Sequence, residues 1–279
     1  MTATACRYGV VMAAISANIF LISCAGDSGP QPGSPAFDWA AAKQTFAAGD
    51  YTKTIDNLDR LSTGTSEYTT KARAWLLVME SGMARANMEL ADRFEAGARA
   101  NKGDPTSFRR NVTTFRGQAS SQALHFAQVF ADFQKTKDET VPLAFAFPTG
   151  SANPPFMMTR VATGIIPTTG DVSLAQKQNV ERCVLLAACA AVGAPDDPAK
   201  AQELLKAAEP KVSRAVFVTA MATALFDASQ LYTRQKLDDP EKMKILCTRA
   251  QEALKTVPES KLTKDLSVKI DKTLKPSKT

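Results

Sequence analysis

After Phe37, apolar residues recur three or four positions apart through most of the chain, and this period constrains the fold more than any other feature. Side chains at that spacing share one stripe of an α-helix, whereas a half-buried strand needs strict alternation. Alanine is abundant and aromatic residues make up only 7% of the chain, which suits closely packed helices. The pattern predicts an all-α fold. Helices are expected at Phe37–Ala48, Asp50–Leu61, Ser66–Ala100, Pro105–Lys135, Ser173–Val192, Asp197–Ala208, Lys211–Gln235, Pro240–Val257 and Ser260–Leu274.

Phe115, Ala119, Gln122, Phe126, Phe130 and Phe133 place an aromatic stripe along one side of the fourth helix, the signature of a core face. The run from Val184 to Val192 is apolar all round, as expected of a helix buried between neighbours. Asp197 and Pro198 then supply the cap and first-turn proline of the next helix.

Trp39, Ala42 and Phe46, followed by Gly49-Asp50-Tyr51 and by Ile55, Leu58 and Leu61, resemble a tetratricopeptide unit. The glycine permits the tight turn and the aspartate caps the second helix. Leu90, Ala91, Phe94 and Ala98 before Pro105 resemble the second helix of such a unit, as do the segments before Pro210 and Pro258. Thr54 stands where alanine is usual, the first unit ends in Thr63-Gly64-Thr65 without proline, and several helices exceed a period of about 34 residues. The expected architecture is antiparallel helical hairpins forming a degenerate tetratricopeptide-like solenoid, with an irregular helical bundle as the alternative.

Residues 140–171 interrupt this order with Pro142, Pro148, Pro154, Pro155, Pro167, Gly150, Gly164 and Gly170, so no helix is expected there. The segment separates an N-terminal helical section, 37–139, from a C-terminal one, 172–279. Val141, Leu143, Phe145 and Phe147 alternate as in an extended strand, and Phe156, Met157, Met158, Ile165 and Ile166 are too apolar for a solvated linker. The loop therefore either covers the helices or meets a partner through Phe145, Phe147, Phe156, Met157 and Met158.

At the N-terminus Arg7 precedes an apolar run from Val10 to Ile22, shorter than the roughly 20 residues a membrane-spanning helix needs. Leu21-Ile22-Ser23-Cys24 resembles the lipobox of bacterial lipoproteins, at which the precursor is cut and its cysteine lipidated. The resemblance implies a signal peptide at residues 1–23 and lipidation of Cys24. Residues 24–36, rich in Gly, Pro and Ser, follow as a flexible tether. It further implies a bacterial cell-envelope protein anchored to the membrane through acyl chains. Ala25 favours an outer membrane facing the periplasm where the cell has two membranes.

Recognisable chemistry is sparse. Gly26-Asp27-Ser28-Gly29-Pro30 resembles the nucleophile segment of trypsin-like proteases, but those enzymes place a histidine and an aspartate earlier in the chain, and His125 comes later. His125 is the only histidine, which excludes histidine-rich zinc sites and multi-histidine catalysis. Glu80-Ser81 resembles the acid-bearing segment of lytic transglycosylases, whose glutamate protonates the glycosidic oxygen. Their Gly-Leu-Met-Gln segment is missing, and Glu80 is expected to be an exposed helix residue. Cys183 and Cys189 lie roughly 9 Å apart along one helix and on different faces, too far for a disulfide. With Cys247 they are expected to be buried thiols, a bridge from either to Cys247 being the alternative. No catalytic residue, metal site or cofactor is assigned.

The net charge of +6 is spread over mixed-sign helices, so a nucleic-acid partner is not expected. Arg73, Arg85, Arg93, Arg99, Arg109, Arg110 and Arg116 are expected to be solvated helix charges. The leading expectation is a lipid-anchored envelope protein with a helical-repeat surface for protein binding or scaffolding, similar in plan to tetratricopeptide lipoproteins that assist outer-membrane barrel assembly. The alternatives are a small-ligand or glycan-binding lipoprotein, similar to those of starch-utilisation systems, and an envelope hydrolase using Glu80. A groove lined by apolar and arginine side chains favours binding, and converging carboxylates favour hydrolysis.

Overall fold

Ser34 caps the first helix, α1 (Pro35–Ala47), by accepting from the Phe37 N–H, and Asp50 caps α2 (Tyr51–Ser62) by accepting from Lys53. The computed structural model describes residues 29–275, so Cys24, the expected signal peptide of residues 1–23 and the first part of the expected tether lie outside it. Gly49, at φ +73°, makes the turn that folds α2 back on α1. Arg60 then meets Asp38 and Thr54 meets Thr45. Thr54 is fully buried, and its hydroxyl is held by Thr45 Oγ1 and the Asp50 carbonyl, so a threonine fills the alanine position without an orphaned polar group.

The repeat-like pairing does not continue regularly, because α3 (Thr69–Ala100) has 32 residues and α4 (Thr106–Gln134) has 29. They run antiparallel: Glu80 faces His125, Asn87 faces Gln122 and Phe94 faces Phe115. All four phenylalanines of the expected stripe are buried. Around α3 pack α2, α4, a short α5 (Phe156–Ala162), α6 (Thr169–Ala191), α7 (Pro198–Leu205) beyond it on α6, and α8 (Arg214–Ser229). The contact with α6 is close enough that a Cβ on Gly82 would lie 2.7 Å from Val184 Cα. The buried Asn179 amide donates to the Ala86 carbonyl at 2.9 Å and pins the same pair. The helices α9 (Pro240–Leu254) and α10 (Lys261–Leu274) pack against α8. The fold is all-α, and its main apolar core runs without a break from Trp39 on α1 to Ile270 on α10.

Residues 140–171 depart from expectation. The strand covers only three residues, β1 (Thr140–Pro142), which pairs antiparallel with β2 (Lys211–Ser213) so that Val141 faces Val212. The helix expected from Lys211 therefore starts at Arg214, and it tightens into a 3₁₀ turn, Gln230–Tyr232, before its expected end. α5 contradicts the expectation of no helix in this segment. It begins directly after Pro155, where a proline costs a helix no hydrogen bond, and stops before Gly164 at φ +88°. Met158 and Val161 on it fill a second core with Leu90, Phe94, Phe108 and Phe115. α6 starts four residues before the expected Ser173, because Thr168 and Asp171 form a reciprocal capping box.

Candidate functional site

A cavity of about 880 Å³ opens between α3, α6, α8 and the connection from α9 to α10. Each wall is one helical stripe. On α3, Ser81, Arg85, Met88, Glu89 and Asp92 follow one another at three- and four-residue spacing, apart from the adjacent Met88 and Glu89. On α8, Val216, Thr219, Ala220, Thr223, Ala224 and Asp227 line the cavity in the same way, while Phe217, Val218 and Leu225 point the other way into the core. Leu186, Ala187 and Ala190 of α6 complete the apolar wall. The apolar run of α6 is thus only partly covered by neighbours, contrary to the expectation of a helix buried all round.

The hydroxyls facing this space are already satisfied. Ser81 donates to the Val78 carbonyl, Thr219 to Ala215 and Thr223 to Thr219, each on its own helix. The charges gather on the α3 side. Burial would raise the Glu89 pKa, but Arg182 at 2.5 Å and Arg85 at 3.0 Å outweigh it and hold the carboxyl below its ordinary value. Asp92 pairs with Lys236 at 2.8 Å. Across the opening, desolvation raises the Asp227 carboxyl above the ordinary aspartate value, against the pull of Arg85 and Lys269. Asp227 receives no side-chain hydrogen bond and Arg85 uses only Nε, both among the described residues. Most arginines expected to be solvated do lie on exposed or half-exposed faces, but Arg116 is largely buried against Glu95.

A smaller polar recess of about 380 Å³ lies over His125, lined among others by Asp59, Arg73 and Asp132. Glu80 is buried, at 3% exposure, and is not the exposed helix residue the sequence led us to expect. It faces the α3–α4 interface, with Oε1 2.6 Å from His125 Nδ1 and Oε2 without a partner in the described structure. His125 Nε2 lies 3.5 Å from Asp59 on α2. Desolvation raises the Glu80 pKa, and the hydrogen bond to Glu80 raises that of His125. The geometry does not align a nucleophile: the Ser62 hydroxyl donates to the Asp59 carbonyl. Among the described residues no group of three or more histidines, cysteines and carboxylates is placed to hold a metal ion.

The five loop residues singled out as partner contacts are not brought together. Phe145 packs on Trp39, Phe46 and Trp75, whose indole donates to the Leu143 carbonyl. Phe147 is half-buried against the same core, Met157 borders the second core, and Met158 lies inside it at 2% exposure. Phe156 stands free at 76%. Cys183, Cys189 and Cys247 are buried free thiols, and burial pushes Cys183 up to about 12 and Cys189 to about 11, far from reactive thiolates.

The cavity was missed because its walls consist of apolar residues that read as core. One signal was available: between Ala215 and Phe226, α8 carries no charged residue on any face, although a helix at the surface of a bundle ordinarily turns charges outward. No family model matches the sequence, and no curated protein or solved structure matches it either.

Proposed function

We propose that this chain is a lipid-anchored bacterial envelope protein that acts by binding, with the cavity between α3, α6 and α8 as its binding site. The observation that carries the proposal is the cavity wall: apolar side chains and inward-satisfied hydroxyls, with the adjoining carboxylates of Glu89 and Asp92 neutralised by basic partners. Such a wall recognises apolar groups and has little means of activating water or a nucleophile. The lipobox-like Leu21–Cys24 supports the anchor. A protein partner is a second reading, favoured by the exposure of Phe156, Ile165, Ile166 and Leu174 near the start of α6.

Two measurements test the proposal. Cys24→Ser should move the protein from the membrane to the soluble fraction; a precursor that is processed and carries no lipid on Cys24 would remove the anchor. Native mass spectrometry of protein gently extracted from its own envelope should show an apolar adduct, absent when Ala220→Trp fills the cavity. An adduct unaffected by that change would place binding elsewhere.

A further inference from the structure

We propose that the cavity holds a single-chain amphiphile, its acyl tail between α6 and α8 and its head presenting an anionic acceptor to Arg85 and a donor to Asp227. This rests on the binding role proposed above and adds the chemistry of the ligand. The tail follows from the wall. Ala187, Ala190, Ala220 and Ala224 leave a smooth surface, and Ser81, Thr219 and Thr223 have their hydroxyls engaged on their own helices. An extended peptide would bring backbone N–H and C=O groups that such a wall cannot match, whereas a hydrocarbon chain brings none. The volume of about 880 Å³ suits one such molecule.

The head follows from the charges left over at the rim. Glu89 is held by two arginines and Asp92 by Lys236. What remains is one guanidinium with unused terminal nitrogens and one carboxyl without a donor, on opposite helices across the opening. A lone anion would meet Asp227 and a lone cation would meet Arg85. A head with both an acceptor and a donor satisfies the two together, and a phosphate carrying an ammonium group has that character.

The full chain carrying Cys24→Ser, so that no acyl chain of its own competes, is titrated calorimetrically with lysophosphatidylethanolamines of increasing chain length below their micellar concentrations. Each added methylene should tighten the dissociation constant about fourfold, the factor that about 0.8 kcal/mol per buried CH₂ implies, until the tail fills the cavity. Ala220→Trp should abolish the dependence with Tm unchanged; Ala187→Phe on the facing wall serves if the first variant does not fold. Arg85→Met and Asp227→Asn should each weaken the phospholipid about tenfold and leave a fatty alcohol of equal chain length unaffected. A chain-length dependence without these headgroup effects overturns the assignment of the head while the binding role stands. Absence of any chain-length dependence, with both lipids, overturns the role and the ligand together. Tight binding of an amphipathic helical peptide where the amphiphiles fail would make a partner helix the occupant and overturn the lipid.

Discussion

Glu80 and His125 form a hydrogen-bonded pair between α3 and α4, and both pKa shifts have the same sign. The folded protein holds protons on the buried carboxyl above its ordinary pKa of 4.5 and on the imidazole above its ordinary 6.5. Over those windows the folded state binds more protons than the unfolded chain, so stability falls as pH rises, first through the raised carboxyl and then through the raised imidazole. Because His125 is the only histidine, its ring signals in a nuclear magnetic resonance titration are unambiguous. The midpoint should lie above 6.5 and drop toward it in Glu80→Gln, which keeps the shape and removes the charge. An unchanged midpoint would show that the two groups are not coupled. In parallel, the difference in urea midpoint between the native chain and Glu80→Gln should change steadily from pH about 4.5 upward, the native chain losing ground.

Within residues 140–171, identical side chains have opposite surroundings. Phe145 touches three aromatic rings with centroids 5.1 to 5.2 Å away, and Phe145→Ser should cost about 3 kcal/mol by the usual scale of aromatic truncation. Phe156→Ser should stay within about 0.5 kcal/mol, since its ring meets solvent. Denaturant titration of the two variants checks both, and equal losses would contradict the packing of Phe145 against the aromatic core and the exposure of Phe156. Both lie in a stretch that the sequence marks only as apolar and proline-rich. Helical period made the longer helices legible, since a stripe such as Phe115 to Phe133 repeats over five turns or more. It could not reveal α5, where seven residues span barely two turns, nor β2, whose three residues are extended only because the distant β1 pairs with them. The cavity was illegible for the same reason that α8 was easy to find: an apolar residue facing an empty space and one facing the core look alike until the neighbouring helices are placed. The residues 214–232 are even apolar enough to cross a membrane, yet half of them are buried in the core and others, from Val216 to Asp227, line the cavity.

At the scale of the whole molecule, the two helical sections are joined through α3, which touches α2 and α4 on one side of the sequence break and α6 and α8 on the other. Gly82 against Val184 and Asn179 on Ala86 tie the halves at separate heights along that helix, and Trp75 on Leu143 ties the intervening segment to it. A core continuous from Trp39 to Ile270 cannot lose one half without exposing apolar surface of the other, and a linear array would lack such distant contacts. The described chain should therefore unfold in one step. Trp39 and Trp75 report the N-terminal section by fluorescence, and the buried thiols of Cys183, Cys189 and Cys247 report the C-terminal section by alkylation followed by peptide mass analysis. With rising urea the tryptophan change and the labelling of all three thiols should share one midpoint. Thiols that become reactive while the tryptophans still fluoresce as in the folded protein would mean that α6 to α10 open by themselves. The Gly82 contact would then be the place where cooperativity fails, and Gly82→Ala, which pushes α6 away from α3, should widen the gap between the two transitions.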